Sequence, residues 1–236
     1  MNENDRNWEK DALGYMFNDA ELLTNALTHS SYINEGTGGK KDPPAGCNNE
    51  RLEFLGDAVL ELVMSEHIFL TYPELTEGEM TKLRASIVCE PTLSKAARAL
   101  NMGRAMRMGR GEEQTGGRER GSILADCFEA VAGAVFLDGG FKNARVFIIQ
   151  SLNELIKERR ENFMTSDYKT HLQELVQRDS KEPLEYTVIA EEGPAHDRTF
   201  VVELVHAGRK LSTGRGKSKK EAEQNCAKQA IPFFHN

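Results

Sequence analysis

The chain is short of the features that most readily betray a function. Its four cysteines, Cys47, Cys89, Cys127 and Cys226, fall at no spacing used by metal-ligand or redox motifs, so reduced thiols in a cytoplasmic protein are expected. No apolar run approaches the roughly 20 residues of a membrane span, and the N-terminus is too polar for a signal peptide. No membrane partner is therefore expected. Positive charge is also lacking overall: a net charge of -7 argues against a protein that is basic throughout. What basic charge there is gathers locally, with Arg209, Lys210, Arg215, Lys217, Lys219 and Lys220 inside a dozen residues free of acid. Such a stripe suits a polyanion, although a solvated surface has the same composition.

The densest signal is Asn49-Glu50-Arg51-Leu52-Glu53-Phe54-Leu55-Gly56-Asp57-Ala58-Val59. On a helix turning about 100° per residue, Glu50, Glu53 and Asp57 share one face, with Leu52, Leu55, Val59, Leu62 and Val63 roughly opposite. A surface helix with a solvated charged face reads the same way. A second stretch, Ile123 to Leu137, is apolar or small nearly all round apart from Asp126 and Glu129. A helix of that kind belongs inside a fold, where unpartnered carboxylates cost several kcal/mol. Something cationic is needed, a basic side chain or a metal. No Lys or Arg interrupts the segment, which favours a hard divalent cation on carboxylate oxygens.

Taken in order, the chain predicts helix after helix. Asn18 is a candidate cap with Glu21 at the third position, and residues 34 to 47, rich in Gly and Pro, read as a loop. Thr76 with Glu79 makes a capping box for a helix from Glu77 to about Cys89, and Pro91 opens another that runs to Asn101. From Gly109 to Gly121 the chain is loop-like; Arg118 and Arg120 there are either phosphate contacts or part of an exposed connection. Gly139-Gly140 stops the acid-bearing helix, and Phe141 to about Arg160 is helical. Beyond a polar, charged stretch from Lys157 to Asp167 the period changes. A helix (Tyr168 to Gln177), strands at Glu185 to Glu191, Phe200 to Val205 and Lys210 to Thr213, and a helix capped by Ser218 with Glu221 are expected. The fold class is an all-α domain followed by a small α+β domain of order α-β-β-β-α.

These motifs, in this order, resemble bacterial ribonuclease III. Glu50 to Asp57 is similar to that family's signature, and Ser122-Ile123-Leu124-Ala125-Asp126-Cys127-Phe128-Glu129-Ala130 to its second acidic motif. Lys169-Thr170-His171-Leu172-Gln173-Glu174, Gly193-Pro194-Ala195-His196 and Gly214-Arg215-Gly216-Lys217-Ser218-Lys219-Lys220 resemble a double-stranded-RNA-binding domain. The resemblance runs from about residue 10 to 233, and only the insertion before Glu50 is longer than it leads one to expect. It implies a catalytic and dimerisation domain at 1–160, a linker at 161–166 and an RNA-binding domain at 167–236. It further implies Mg²⁺, with Mn²⁺ able to substitute, on Glu53, Asp126 and Glu129. Asp57 and Glu129 would be catalytic, Asp57 positioning a water or ligand, and Glu50 and Glu77 supporting acids. Phe54 would pack across a homodimer. Thr170, Gln173, Glu174, His196, Lys217, Lys219 and Lys220 would contact RNA, with 2′-hydroxyls read by Gln173, Glu174 and His196 and phosphates taken by the lysines.

The expected activity is hydrolysis of duplex RNA to 5′-phosphate and 3′-hydroxyl ends with short 3′ overhangs. Structured precursors of ribosomal, messenger and transfer RNA are the expected substrates, with no small-molecule cofactor. Two other readings remain at this point. One is a protein that grips duplex RNA without cutting, which a missing acidic position would favour, and none is missing. The other is a helical scaffold whose acids pair with basic residues.

Overall fold

The computed structural model describes residues 8–36, 47–166, 168–194 and 198–234. The chain divides into two compact units, Met1–Arg159 and Arg160–Asn236. In the first, every named element is helical: α1 (Ala20–Ala26), α2 (Ser30–Gly36), α3 (Glu50–Thr71), α4 (Glu77–Ile87), α5 (Glu90–Ala99), α6 (Met102–Ala105), α7 (Arg110–Gln114) and α8 (Gly121–Ser166). Gly140 breaks α8 into two segments with φ 74°, ψ -180°, a backbone that only glycine adopts readily. The expected stop at Gly139-Gly140 is thus a kink, and the polar stretch after Lys157 is helical as far as Ser166 rather than an irregular linker.

Several ends follow the capping chemistry. Thr76 Oγ1 accepts from Glu79 N while Glu79 Oε2 accepts from Thr76 N at 2.8 Å, completing the box at the head of α4. At α1 the cap is Asp19 instead of Asn18, accepting from Glu21 N at 2.9 Å. The reason is a competing acceptor. Asp138 takes the Asn18 side chain at 3.1 Å, its backbone N–H at 2.9 Å, the Asp19 N–H at 2.8 Å and the Tyr15 hydroxyl at 2.6 Å. Of the expected loop 34–47, Asn34 to Gly36 finish α2, and residues 37–46 lie outside the described residues.

Helix α3 buries Leu52, Gly56, Val59, Leu60, Val63, Met64 and Ile68. Leu62, expected in that stripe, is 57% exposed, and Phe54 (83%) and Phe69 (66%) lie on the same side of the helix. The helix therefore has two apolar faces with the acids between them. Its inner face meets the first segment of α8, which buries Leu124, Ala125, Cys127, Phe128, Ala130, Val131, Ala132, Ala134 and Val135. The crossing is made by glycines. A Cβ on Gly56 would sit 2.5 Å from the Glu129 carbonyl carbon and 3.1 Å from Gly133 N; one on Gly133 would sit 3.3 Å from Gly56 Cα. Backbone lies against backbone there, with no room for a methyl group.

The second unit runs α9 (Tyr168–Asp179), β1 (Leu184–Glu192), β2 (Thr199–His206), β3 (Arg209–Gly216) and α10 (Lys219–Ala230). The strands form one antiparallel sheet in sequence order. Ala207 and Gly208 join β2 to β3 with φ 50° and 71°, the left-handed pair that a two-residue hairpin turn requires. Leu172 and Val176 of α9, Val202 and Leu204 of β2, and Ala222, Cys226, Ala227 and Ala230 of α10 make the core. Ser218 caps α10 by accepting from Glu221 N at 3.1 Å, whereas the Glu221 carboxylate turns to Lys217 N at 2.7 Å. Among the described residues no helix is long and apolar enough to cross a membrane.

Candidate active site

The glycine crossing sets the geometry of the acids. With Gly56 against Glu129, Glu53 on α3 is carried one turn along to face Asp126 and Glu129 on α8. One carboxylate oxygen from each of Glu53, Asp126 and Glu129 lies within 4.8 Å of the others. All three side chains are half-buried, so the acid-bearing helix is inside the fold but its carboxylates reach the rim. Among the described residues none of the three is paired with a Lys or Arg, although the surrounding surface is rich in ion pairs such as Arg84–Glu61 and Arg145–Glu66, each at 2.6 Å.

The electrostatics record that imbalance. Burial, then Asp57, Asp126 and Glu53, push the Glu129 carboxyl up to about 7. Burial and the charges of Asp126, Glu50 and Asp57 raise Glu53. Burial and Glu90 raise Asp126, while His29 pulls it back. Protons are thus held where a cation is wanted. Oxygens about 2.1 Å from a magnesium-sized ion are at most about 4.2 Å apart, so small side-chain rotations would close this set around one ion. The donor set fits a hard divalent cation.

Asp57 and Glu50 are exposed and stand in the same field. Glu77 does not join it. It heads α4, accepts from Thr81 Oγ1 at 3.2 Å and lines a separate cavity with Leu62 and Phe69. Two contributors were absent from the sequence reading. Glu90, the first residue of α5, has its carboxylate 2.7 Å from where a Cβ on Gly121 would be, at the head of α8. His29 precedes α2. No periodicity marks either one, because both arrive through chain packing. Arg118 and Arg120 are spent internally: Arg118 binds Glu113 at 2.6 Å and the Gly103 and Met106 carbonyls at 2.7 Å, and Arg120 pairs with Glu112. They staple the 110–120 segment.

In the second unit Lys217, Lys219 and Lys220 are exposed at the head of α10, where free amides and the helix dipole add to their charge. Thr170 and Gln173 are half-buried and Glu174 exposed on α9; His196 lies outside the described residues. The basic stripe is less uniform in space than in sequence, since Lys210 pairs with Glu203 at 2.6 Å and Arg215 with Glu192 at 3.3 Å. Acids on neighbouring strands supply what the stretch itself lacks.

Comparison with known proteins agrees with this division. Residues 19–155 match the ribonuclease-III-like family model, and residues 168–232 the double-stranded RNA binding motif. A ribonuclease 3 of Desulforamulus reducens is 51% identical over 94% of this chain and 88% of its own, and one of Symbiobacterium thermophilum 50% identical over 98% and 95%. A solved nuclease domain of ribonuclease III from Campylobacter jejuni, described as flexible in a region involved in dimer formation, is 41% identical. It covers 62% of this chain and 95% of its own, with a TM-score of 0.56. A helical nuclease domain carrying an acidic cluster, followed by a duplex-RNA-binding domain, makes this chain an endoribonuclease of the ribonuclease III family.

Proposed function

We propose that the chain hydrolyses phosphodiester bonds of double-stranded RNA with Mg²⁺ held by Glu53, Asp126 and Glu129. The observation that carries this reading is the convergence of three carboxylate oxygens within 4.8 Å with no basic side chain between them. A divalent cation there would supply an activated water and stabilise charge on the phosphoryl and leaving oxygens. Asp57, exposed beside the cluster, orients the attacking water or a ligand, while Glu50 and Glu77 support. Mn²⁺, with the same preference for oxygen, substitutes.

Residues 1–160 form the catalytic and dimerisation domain in this reading, 161–166 connect, and 167–236 bind duplex RNA. Phe54, 83% exposed on the outer apolar face of α3, packs against a second copy of the chain. Two sites on a dimer each cut one strand, which leaves 5′-phosphate and 3′-hydroxyl ends with short 3′ overhangs. Thr170, Gln173, Glu174 and His196 approach the minor groove, where Gln173, Glu174 and His196 read 2′-hydroxyls; Lys217, Lys219 and Lys220 meet phosphates. The setting is the cytoplasm, and the substrates are structured precursors of ribosomal, messenger and transfer RNA.

Glu129→Ala should abolish Mg²⁺-dependent cleavage of a duplex while leaving gel-shift binding intact. Undiminished cleavage by that variant would remove Glu129 from the site. A duplex cut equally well without divalent cations would remove the metal.

A further inference from the structure

Segment 26–29 is tied to every piece of chain that brings acids to the site. The Ala26 carbonyl accepts from Cys127 Sγ at 3.9 Å, next to Asp126. The Thr28 carbonyl accepts from Asn49 N at 2.9 Å, immediately before Glu50. His29 N donates to the Arg107 carbonyl at 3.0 Å and Arg107 N to the Leu27 carbonyl at 2.7 Å, a short parallel bridge. His29, at the end of this segment, is half-buried and within electrostatic reach of the Asp126 carboxylate.

The histidine is also oriented. Ser31 N–H, which can only donate, points at Nδ1 from 3.3 Å, and Ser31 Oγ is 2.8 Å from the same nitrogen. That hydroxyl already accepts from Gly109 N at 3.0 Å, so its own proton is available to Nδ1. Nδ1 is therefore an acceptor, and the proton-bearing nitrogen of the ring is Nε2. Gly109 is pressed in turn against α2, since a Cβ there would lie 2.7 Å from the Ser31 carbonyl oxygen. The anchor is built into packed backbone.

We propose that His29 is a positioning residue of the hydrolytic site, its Nε2–H, fixed through Ser31 and Gly109, being the donor that steadies the Asp126 carboxylate when it holds a cation. Donors that orient metal-bound groups are worth about ten- to hundredfold in metal affinity. The inference rests on Asp126 being a cation ligand, as proposed above.

The test is a calorimetric titration of the full chain with Mn²⁺ alone, in the absence of RNA. A glutamine side chain places an N–H about as far from the backbone as Nε2, and an asparagine about as far as Nδ1. His29→Ala and His29→Asn should weaken Mn²⁺ binding about ten- to hundredfold, while His29→Gln stays within about threefold of the parent. Ser31→Ala, which keeps the imidazole and removes part of its anchor, should fall between. In cleavage assays the loss in His29→Ala should appear in kcat at low metal, recover with excess metal, and leave KM for duplex RNA unchanged. If every His29 variant binds Mn²⁺ as the parent does while Asp126→Asn binds it weakly, His29 has no such role and the site stands. If Asp126→Asn also binds as the parent does, the site itself is misassigned. Rescue by His29→Asn but not His29→Gln would make the histidine a latch for Ser31 only.

Discussion

Gly56→Ala adds one methyl group where α3 and α8 cross, and its effect can be worked out from the contact. The new Cβ would stand 2.5 Å from the Glu129 carbonyl carbon, against about 3.5 Å for a comfortable contact between carbons. Both partners are backbone, so no rotamer relieves the overlap, and the helices must part by roughly 1 Å. Overpacking of this kind costs up to about 3 kcal/mol, and alanine's better helix propensity returns at most about 1. The balance of about 2 kcal/mol should lower the melting temperature by roughly 4–8 °C in a unit of this size. The larger consequence is chemical: parting the helices draws Glu53 away from Asp126 and Glu129, and a displacement of about 1 Å at a reacting centre costs on the order of a hundredfold in rate.

Duplex cleavage at saturating RNA, with melting followed by circular dichroism, measures both effects. Gly78→Ala is the control, because a Cβ there meets nothing within 4 Å. It should leave cleavage unchanged and stabilise slightly. If Gly56→Ala behaves like Gly78→Ala, the close crossing does not set the site.

Two further outcomes follow from charge. The Glu129 carboxyl, raised from 4.5 to about 7, favours its protonated form in the folded chain. Its contribution to metal-free stability is complete below pH 4.5 and disappears as pH rises through about 7. The metal-free parent should therefore lose melting temperature between pH 5.5 and 8 relative to Glu129→Gln, and more Mg²⁺ should be needed for half-maximal cleavage at pH 6 than at pH 8. Parallel melting curves for the two proteins, or a pH-independent metal requirement, would contradict this. Lys219→Ala with Lys220→Ala should weaken duplex binding and reduce the slope of log K against log salt by about two, and equal slopes would show that these lysines meet no phosphates.

Local chemistry was the legible part of this chain. Caps such as Thr76–Glu79 depend on neighbours in sequence and so can be read there, as can the alternation of β1 to β3. The acid row of α3 and the charge-poor helix α8 pointed to a cation because burial makes an unpaired carboxylate costly. What could not be read was decided by distant partners. Asn18 gave up its cap to Asp19 because Asp138 claims it, and Leu62 points outward because a 22-residue helix can carry two apolar faces. Arg118 and Arg120 looked like phosphate ligands until Glu113 and Glu112 were found beside them. Glu90 and His29 reach the site by packing alone, and Gly56 is silent in any periodicity count because its role is to have no side chain.

The hydrogen bonds that Asp138 accepts from Tyr15, Asn18 and Asp19 join positions 119 to 123 residues apart. During synthesis the chain's beginning must therefore wait for its own middle. At about 5–20 residues per second, the start of the nuclease unit has no native partner for roughly 6–24 s after it is made. Glu53 is in the same position with respect to Glu129. A nascent chain that ends before Glu129 carries part of the acid set and no cage, so ribosomes hold an inert precursor among the RNAs they are translating until the unit is nearly complete.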